Sequence, residues 1–246
     1  VSFRILIIGA DGGIGSAMTR LFSSRGWHLQ LGYHSCEPSL ADNPGAASFY
    51  SCRIDVRNPL SVADFMNKLC SENIGTPDVF VYNSGIFVPE LCINNSSDRL
   101  QQTIDVNLKP AVDFIREIAP QMMMRKKGKI FLMSSVNGRK CFYNGHANYA
   151  ISKAGLDALV RQAAMEFSRH GILINAIAPG MVETEMTRNY LQEQKSRNRL
   201  SQLLDRIALH RLGRAEEIAN FVFALSQPEV DYITGQTFCI DGGFQL

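Results

Sequence analysis

Short runs that are apolar at nearly every position alternate along this chain with longer stretches in which apolar residues recur every three or four positions. The short runs cover 3–8, 28–33, 47–54, 79–82, 129–133, 173–178 and 236–240. Their length and their β-branched and aromatic content predict strands, about seven in all. The longer stretches predict helices near 14–25, 59–73, 98–126, 147–170 and 214–226. Strands that are apolar on both faces need cover on both faces, so the pattern predicts an α/β fold: a doubly wound parallel sheet with helices on either side. No linker, repeat or low-complexity stretch breaks the rhythm, and 1–246 reads as one domain. The long polar insertion at 183–206, rich in Glu, Gln, Asn and Arg, follows Pro179-Gly180. At the carboxyl end of a strand it would overhang a ligand crevice as a substrate lid.

Composition narrows the class. Of the 246 residues, 46% are hydrophobic and 20% charged, an ordinary globular balance. A net charge of +2 carries no global field for nucleic acid. The six cysteines (36, 52, 70, 92, 141, 239) form no Cys-x-x-Cys pair, and none stands with a histidine at metal-ligand spacing. They read as reduced thiols, and no metal site is expected. The apolar run Ile5-Leu6-Ile7-Ile8 is too short for a signal or membrane segment, so a cytoplasmic protein without membrane contact is expected.

The first strand runs into Gly9-Ala10-Asp11-Gly12-Gly13-Ile14-Gly15 and then into a helix. Glycines there allow a tight turn and let backbone amides and a helix N-terminus approach a pyrophosphate. The end of the second strand bears on the choice of dinucleotide. An Asp or Glu at that point holds the ribose 2′-hydroxyl of NAD and repels the 2′-phosphate of NADP. This strand ends Tyr33-His34-Ser35, with no acid before Glu37. A missing carboxylate, a histidine and a serine hydroxyl favour NADP(H) over NAD(H), although no arginine is present and Gly12 stands where a basic residue often sits. The alternative for His34 is an exposed loop histidine. Asp55-Val56 closes the third strand, where a carboxylate could accept from an adenine amino group, and Asn83-Ser84-Gly85 closes the fourth, against an adenosine ribose. Each triplet alone is also an ordinary turn signal.

Tyr149 and Lys153 stand four residues apart, which on a helix puts phenol and ammonium on one face. A fixed ammonium stabilises a phenolate and moves its pKa down from about 10, making Tyr149 a candidate acid/base. The same spacing also arises by chance on a solvated helix face. The serines Ser134-Ser135 lie upstream, at the end of a strand.

Taken together, Gly9-x-x-x-Gly13-Ile14-Gly15, Asp55-Val56, Asn83-Ser84-Gly85, Val106-Asn107-Leu108, Ser134-Ser135-Val136, Tyr149-x-x-x-Lys153, Pro179-Gly180-x-Val182-x-Thr184 and Asp241-Gly242-Gly243 resemble the short-chain dehydrogenase/reductase family over essentially the whole chain. The resemblance implies a Rossmann-type fold and a catalytic set of Asn107, Ser135, Tyr149 and Lys153. It also implies that Pro179, Gly180, Val182 and Thr184 face the nicotinamide, and that a backbone carbonyl near Asn107 orders a water leading to Lys153. Segments 178–187, 211–220 and 232–235 look like the 3-oxoacyl-acyl-carrier-protein reductases of fatty acid or polyketide biosynthesis. The implied activity is NADPH-dependent reduction of a ketone to a secondary alcohol. A ketoreductase acting on a free small molecule, or a catalytically silent nucleotide-binding protein, are the alternatives. Two positions depart from the family pattern: Ile8 replaces a threonine that ties the glycine loop to strand four, and Ser84 is the residue expected to substitute for it.

Two basic clusters, Arg125-Lys126-Lys127-Gly128-Lys129 and Arg169-His170, end predicted helices, where cations suit the dipole. In carrier-protein reductases such residues meet an acidic carrier, so Lys126, Arg169 and His170, with Arg161 nearby in sequence, form a candidate docking patch for acyl carrier protein. The resemblance also implies a homotetramer that pairs the helices at 98–126 and 147–170. Phe114, Met122 to Met124 and Phe238 fit an interface or a core equally well, and His146 reads as a solvated loop residue.

Overall fold

The computed structural model describes residues 3–71, 74–193 and 199–246. Its strands are β1 (Arg4–Ile8), β2 (His28–Tyr33), β3 (Ser48–Arg53), β4 (Val79–Tyr82), β5 (Gly128–Met133), β6 (Ile172–Pro179) and β7 (Thr237–Ile240). They lie in one sheet in the order β3-β2-β1-β4-β5-β6-β7, every pair parallel. The chain winds outward from β1 to β3, returns to β4 on the other side of β1, and winds outward again. Ile8 pairs with both Gly32 and Tyr82, so the loops that leave β1, β2 and β4 emerge side by side. Such a reversal opens a crevice outside the carboxyl ends of the strands.

The helices are α1 (Gly13–Ser24), α2 (Pro59–Ser71), α3 (Ser97–Asn107), α4 (Lys109–Arg125), α5 (Ala147–Phe167), α6 (Glu185–Glu193), α7 (Arg199–Leu204) and α8 (Ala215–Ser226). Side chains alternate across each strand. Leu6, Ile8, Phe80, Tyr82, Ile130 and Leu132 face α2, α4 and α5 in one core. Ile5, Ile7, Val79, Val81, Phe131 and Met133 face α1 and α8 in the other. Full burial of each such side chain contributes about 1.5–3 kcal/mol, which explains strand runs apolar at every position. Phe114 and Met122 belong to the first core, whereas Met124 is 81% exposed.

The predicted helix at 98–126 is two helices, broken at Leu108 (φ −123°, ψ −57°). Pro110 is the cause: it has no N–H to offer the carbonyl four residues back, that of Val106. The buried Tyr82 hydroxyl donates to that carbonyl instead, at 2.5 Å. Burial also pushes the Tyr82 pKa up and keeps it a donor. Ser96 caps α3 by accepting from the Arg99 amide, and Lys126 ends α4 in the left-handed conformation. The predicted lid contains α6 and α7, with 194–198 outside the described residues, as are 72 and 73 at the end of the helix predicted over 59–73. Leu203 in the lid's second half, with Ile207 just beyond it, packs onto Val136 and Phe244. Among the described residues, no helix is long and apolar enough to cross a membrane, and no group of three or more His, Cys, Asp or Glu could hold a metal ion.

Tyr82→Phe keeps the ring in the core but leaves the Val106 carbonyl without its donor. Urea denaturation should show a loss of about 1–3 kcal/mol; an unchanged midpoint would mean the hydroxyl is not what sustains the break.

Candidate active site

The glycine loop is built so that only backbone fits. Gly9 has φ +84°, and a Cβ there would stand 2.7 Å from the Ser84 amide. A Cβ on Gly15 would meet the Gly9 carbonyl at 2.0 Å, and one on Gly13 would meet Thr184 Cγ2 at 2.8 Å. With α1 starting at Gly13, this bare loop fits a pyrophosphate, which needs close amides rather than side chains. The Asn83 amide nitrogen donates to the Gly9 carbonyl at 2.8 Å and so ties the loop to the end of β4. That was the part expected of Ser84. No hydrogen bond of the Ser84 hydroxyl is described; its oxygen instead lies against Gly9, 2.8 Å from where a Cβ would stand.

Asp11, expected among the cofactor-binding residues of the glycine loop, lines the cleft and also reaches the end of β2. Its Oδ2 accepts from the backbone amides of His34 (3.2 Å), Ser35 (2.8 Å) and Cys36 (3.3 Å). The expectation of NADP(H) rested on the absence of a carboxylate at the end of β2. The fold supplies one from another loop, so that premise falls. Tyr33 lines the same cleft, and the exposed His34 ring pairs with the Ser35 hydroxyl at 3.0 Å. Asp55 is engaged by a residue that motif reading missed: Arg57 donates Nε to Oδ1 at 3.0 Å and a terminal nitrogen to Oδ2 at 2.8 Å. This fork lowers the Asp55 pKa to about 2. Val56, partly buried, packs against the first core and also lines the cleft.

Five further side chains meet beyond β4 and β5. Tyr149 sits in the first turn of α5, and the hydrogen-bonded Ser135 hydroxyl lies beside its phenol. Lys153, one turn on, donates to the Met133 carbonyl at 2.7 Å and lies 5.4 Å above the Tyr149 ring. Ser134 donates to the Lys153 carbonyl at 3.2 Å and thereby clamps α5 to the end of β5. Asn107, fully buried, donates to the Ile86 carbonyl and the Ser152 hydroxyl, both at 3.0 Å, and accepts from the Ile86 amide at 2.8 Å. Its side chain therefore holds the loop after β4 to the end of α3. Gly85 separates Asn107 from Lys153, and a Cβ there would stand 3.3 Å from the ammonium.

The electrostatics differ from the expected phenolate. Burial raises the Tyr149 pKa to about 12, against a smaller lowering by Ser135. The Lys153 ammonium, turned onto a carbonyl, does not offset this. Tyr149 is thus protonated at neutral pH, the state that donates. Burial lowers Lys153 to about 8, partly countered by the Asp157 carboxylate one turn further along α5.

Ser134, Ser135, Tyr149 and Lys153 line one cleft of about 540 Å³, which also reaches Pro179, Gly180, Val182 and Thr184, whereas Asn107 is fully buried behind it and is not part of the lining. Gly213 clamps the last segment, donating to the Met181 carbonyl at 2.9 Å and accepting from the Glu183 amide at 2.8 Å. Beyond Tyr149 the walls are rings that no periodicity signals: Phe87, Tyr143, Tyr190 and Phe244. His146, expected in solvent, is 9% exposed and packs 4.6 Å from Phe87 and 5.6 Å from Tyr190, centroid to centroid. The lid brings Tyr190 over it, which a linear reading cannot see.

The basic patch lies elsewhere. The turns carrying Lys126 and Gly171 touch, so Lys126, Arg169 and His170 do gather. They precede β5 and β6, at the amino edge of the sheet. The 21 residues of α5 run ~30 Å, with Tyr149 in the first turn and Arg169 just past the end. Within one chain the patch does not border the cleft.

A family model described as enoyl-(acyl carrier protein) reductase matches residues 9–245. The chain belongs to the short-chain dehydrogenase/reductase family and is an NAD(P)-dependent oxidoreductase acting on CH–OH/C=O groups. It is 32% identical over 244 residues to the 3-oxoacyl-[acyl-carrier-protein] reductase FabG of Escherichia coli (strain K12), covering 98% of this chain and 96% of that one. Among solved structures it is similar to levodione reductase (TM-score 0.90, 26% identity, 98% and 96% covered). A 4-hydroxyisoleucine dehydrogenase mutant complexed with NADH and succinate aligns with TM-score 0.90 at 28% identity, covering 98% of each chain.

Loss of the Lys153 proton should show in the pH profile. With the pKa lowered to about 8, kcat/KM for the dinucleotide should fall above that pH. A profile flat to pH 10 would place the ammonium outside the functional cycle.

Proposed function

We propose that this chain reduces the ketone of a 3-oxoacyl thioester, carried on acyl carrier protein, to the 3-hydroxyacyl product. The observation that carries the reading is Tyr149 held beside Ser135, with the Lys153 ammonium 5.4 Å over its ring, in a glycine-lined crevice. A bound nicotinamide dinucleotide supplies the hydride that reaches the carbonyl carbon. Tyr149 gives its proton to the carbonyl oxygen, on which negative charge would otherwise build. The Ser135 hydroxyl donates a second hydrogen bond to that oxygen and orients it. Lys153, which here donates to the Met133 carbonyl, would hydrogen-bond the nicotinamide ribose and support the phenolate left behind. Asn107 keeps the loop after β4 and the end of α3 in register, so that a water there can return the proton. Gly9, Gly13, Ile14 and Gly15 receive the pyrophosphate, and Asp55, Val56, Asn83 and Gly85 border the adenosine. Pro179, Gly180, Val182 and Thr184 face the nicotinamide. A catalytically silent protein would have no use for an ammonium buried at a desolvation cost against a phenol ring.

The thioester reading draws on the likeness to FabG. Its docking requires a second protomer, because the patch lies about one helix length from the cleft. In a homotetramer that pairs α5 with its symmetry mate in antiparallel fashion, Arg169 and His170 of one chain would flank the Tyr149 end of the other. Exposed apolar Val112 on α4 and Ile151 and Met165 on α5 suit such a contact. The aromatic walls favour a second reading, in which the substrate is a free, compact ketone.

Oxidation of the reduced nicotinamide, followed by its absorbance, separates the readings. Turnover of a 3-oxoacyl carrier thioester supports the first; turnover of free ketones alone replaces it with the second, and none on any carbonyl sinks both. Tyr149→Phe should cut turnover at least about 100-fold with little change in dinucleotide affinity. Lys126→Glu should raise KM for the carrier-bound substrate and not for a free thioester; equal KM values would rule out docking at that patch.

A further inference from the structure

The peptide amides of His34, Ser35 and Cys36 all point at one place just beyond β2. Three successive amides aimed at one point form an anion-binding nest. In this chain the anion is already present, because Oδ2 of Asp11 accepts from all three at 2.8–3.3 Å. Asp11 lines the same cleft as Tyr33 and His34, beside the glycine loop that carries it.

We infer that Asp11, delivered by the first loop into the amide nest at the end of β2, makes this site select NAD(H) over NADP(H). The inference rests on the reading of the cleft as a nicotinamide dinucleotide site with its adenosine at the β2 end. Oδ2 is committed to three amides, and Asp11 lines the cleft, so its carboxylate offers that cleft an acceptor and a negative charge. A ribose 2′-hydroxyl has a proton to give it. A 2′-phosphate has only acceptor oxygens and nearly two negative charges, so it finds its nest filled and meets a carboxylate at close range.

The surrounding charges do not reverse this. Arg57 is clasped by Asp55. Arg53 donates its Nε to the His34 carbonyl at 3.0 Å. Glu37, which accepts from the Ser51 hydroxyl at 2.9 Å, adds a further negative charge on the same side of β2 and β3. The histidine and serine that seemed suited to a phosphate hydrogen-bond each other. Asp11 therefore does from the glycine loop what an acid at the strand end does elsewhere, and no pattern confined to residues 31–37 can reveal it.

Calorimetric titration of the full chain with NADH and with NADPH, at one ionic strength, tests the assignment without any substrate. The wild type should bind NADH at least about tenfold more tightly than NADPH. Asp11→Ser, which empties the nest, should shrink that ratio at least about tenfold, chiefly by tightening NADPH. Asp11→Asn keeps an oxygen for the amides and removes the charge, so it should shift the ratio in the same direction while preserving the loop. Equal or tighter binding of NADPH by the wild type, or an unchanged ratio in both variants, overturns the inference and leaves the ketone-reductase reading standing. If neither dinucleotide binds, the cleft is not a nicotinamide site and both readings fall.

Discussion

Everything chemical in this protein follows from the parallel register of β1, β2, β4 and β5. A sheet covered on both faces leaves no side of a strand open to solvent, so unpaired amides, carbonyls and polar side chains collect at the strand ends. Ile8 opposite both Gly32 and Tyr82 sets the loops from 9, 33 and 83 against each other. The next pairs bring Ser134 and Ser135 into the same row. The cleft consists of what those loops carry.

The loops are then locked by side chains that do no chemistry themselves. Asn83 holds the glycine loop, Asn107 holds the loop after β4, Ser134 holds α5, and Tyr82 stabilises the break that Pro110 imposes on the preceding helix. Each of these bonds joins two separate elements. Such ties keep a phenol, a hydroxyl and an ammonium in register against thermal motion, the preorganisation that hydride transfer to a carbonyl requires. Burial does the electrostatic part: it keeps Tyr149 protonated and brings Lys153 near its titration point.

Much of the architecture was legible because the strands and helices announce themselves by periods of 2 and 3.6 residues, and the glycines mark where backbone must come close. The single helix expected over 98–126 shows a limit of that reading. The apolar period continues across Leu108, and the one local sign of a break was Pro110, whose missing amide matters only through the carbonyl it leaves behind. His146 shows another. Its burial depends on Phe87 from one loop and Tyr190 from the lid, and neither is near it in sequence.

By itself the sequence determined the order of elements, the wrapped parallel sheet and the residue types that reach the crevice, because these follow from local hydrophobic period and from fixed spacings on one helix or one turn. Tertiary structure alone decided which charges face one another. Tyr149 and Lys153 share a helix and could be paired on paper, yet the direction of the phenol's pKa depended on how deeply the fold buries it. Asp11 and the amides of 34–36 come from different loops. Only the closing of β1 against β2 places that carboxylate on those amides, and only the length of α5 sets the basic patch at the opposite edge of the sheet.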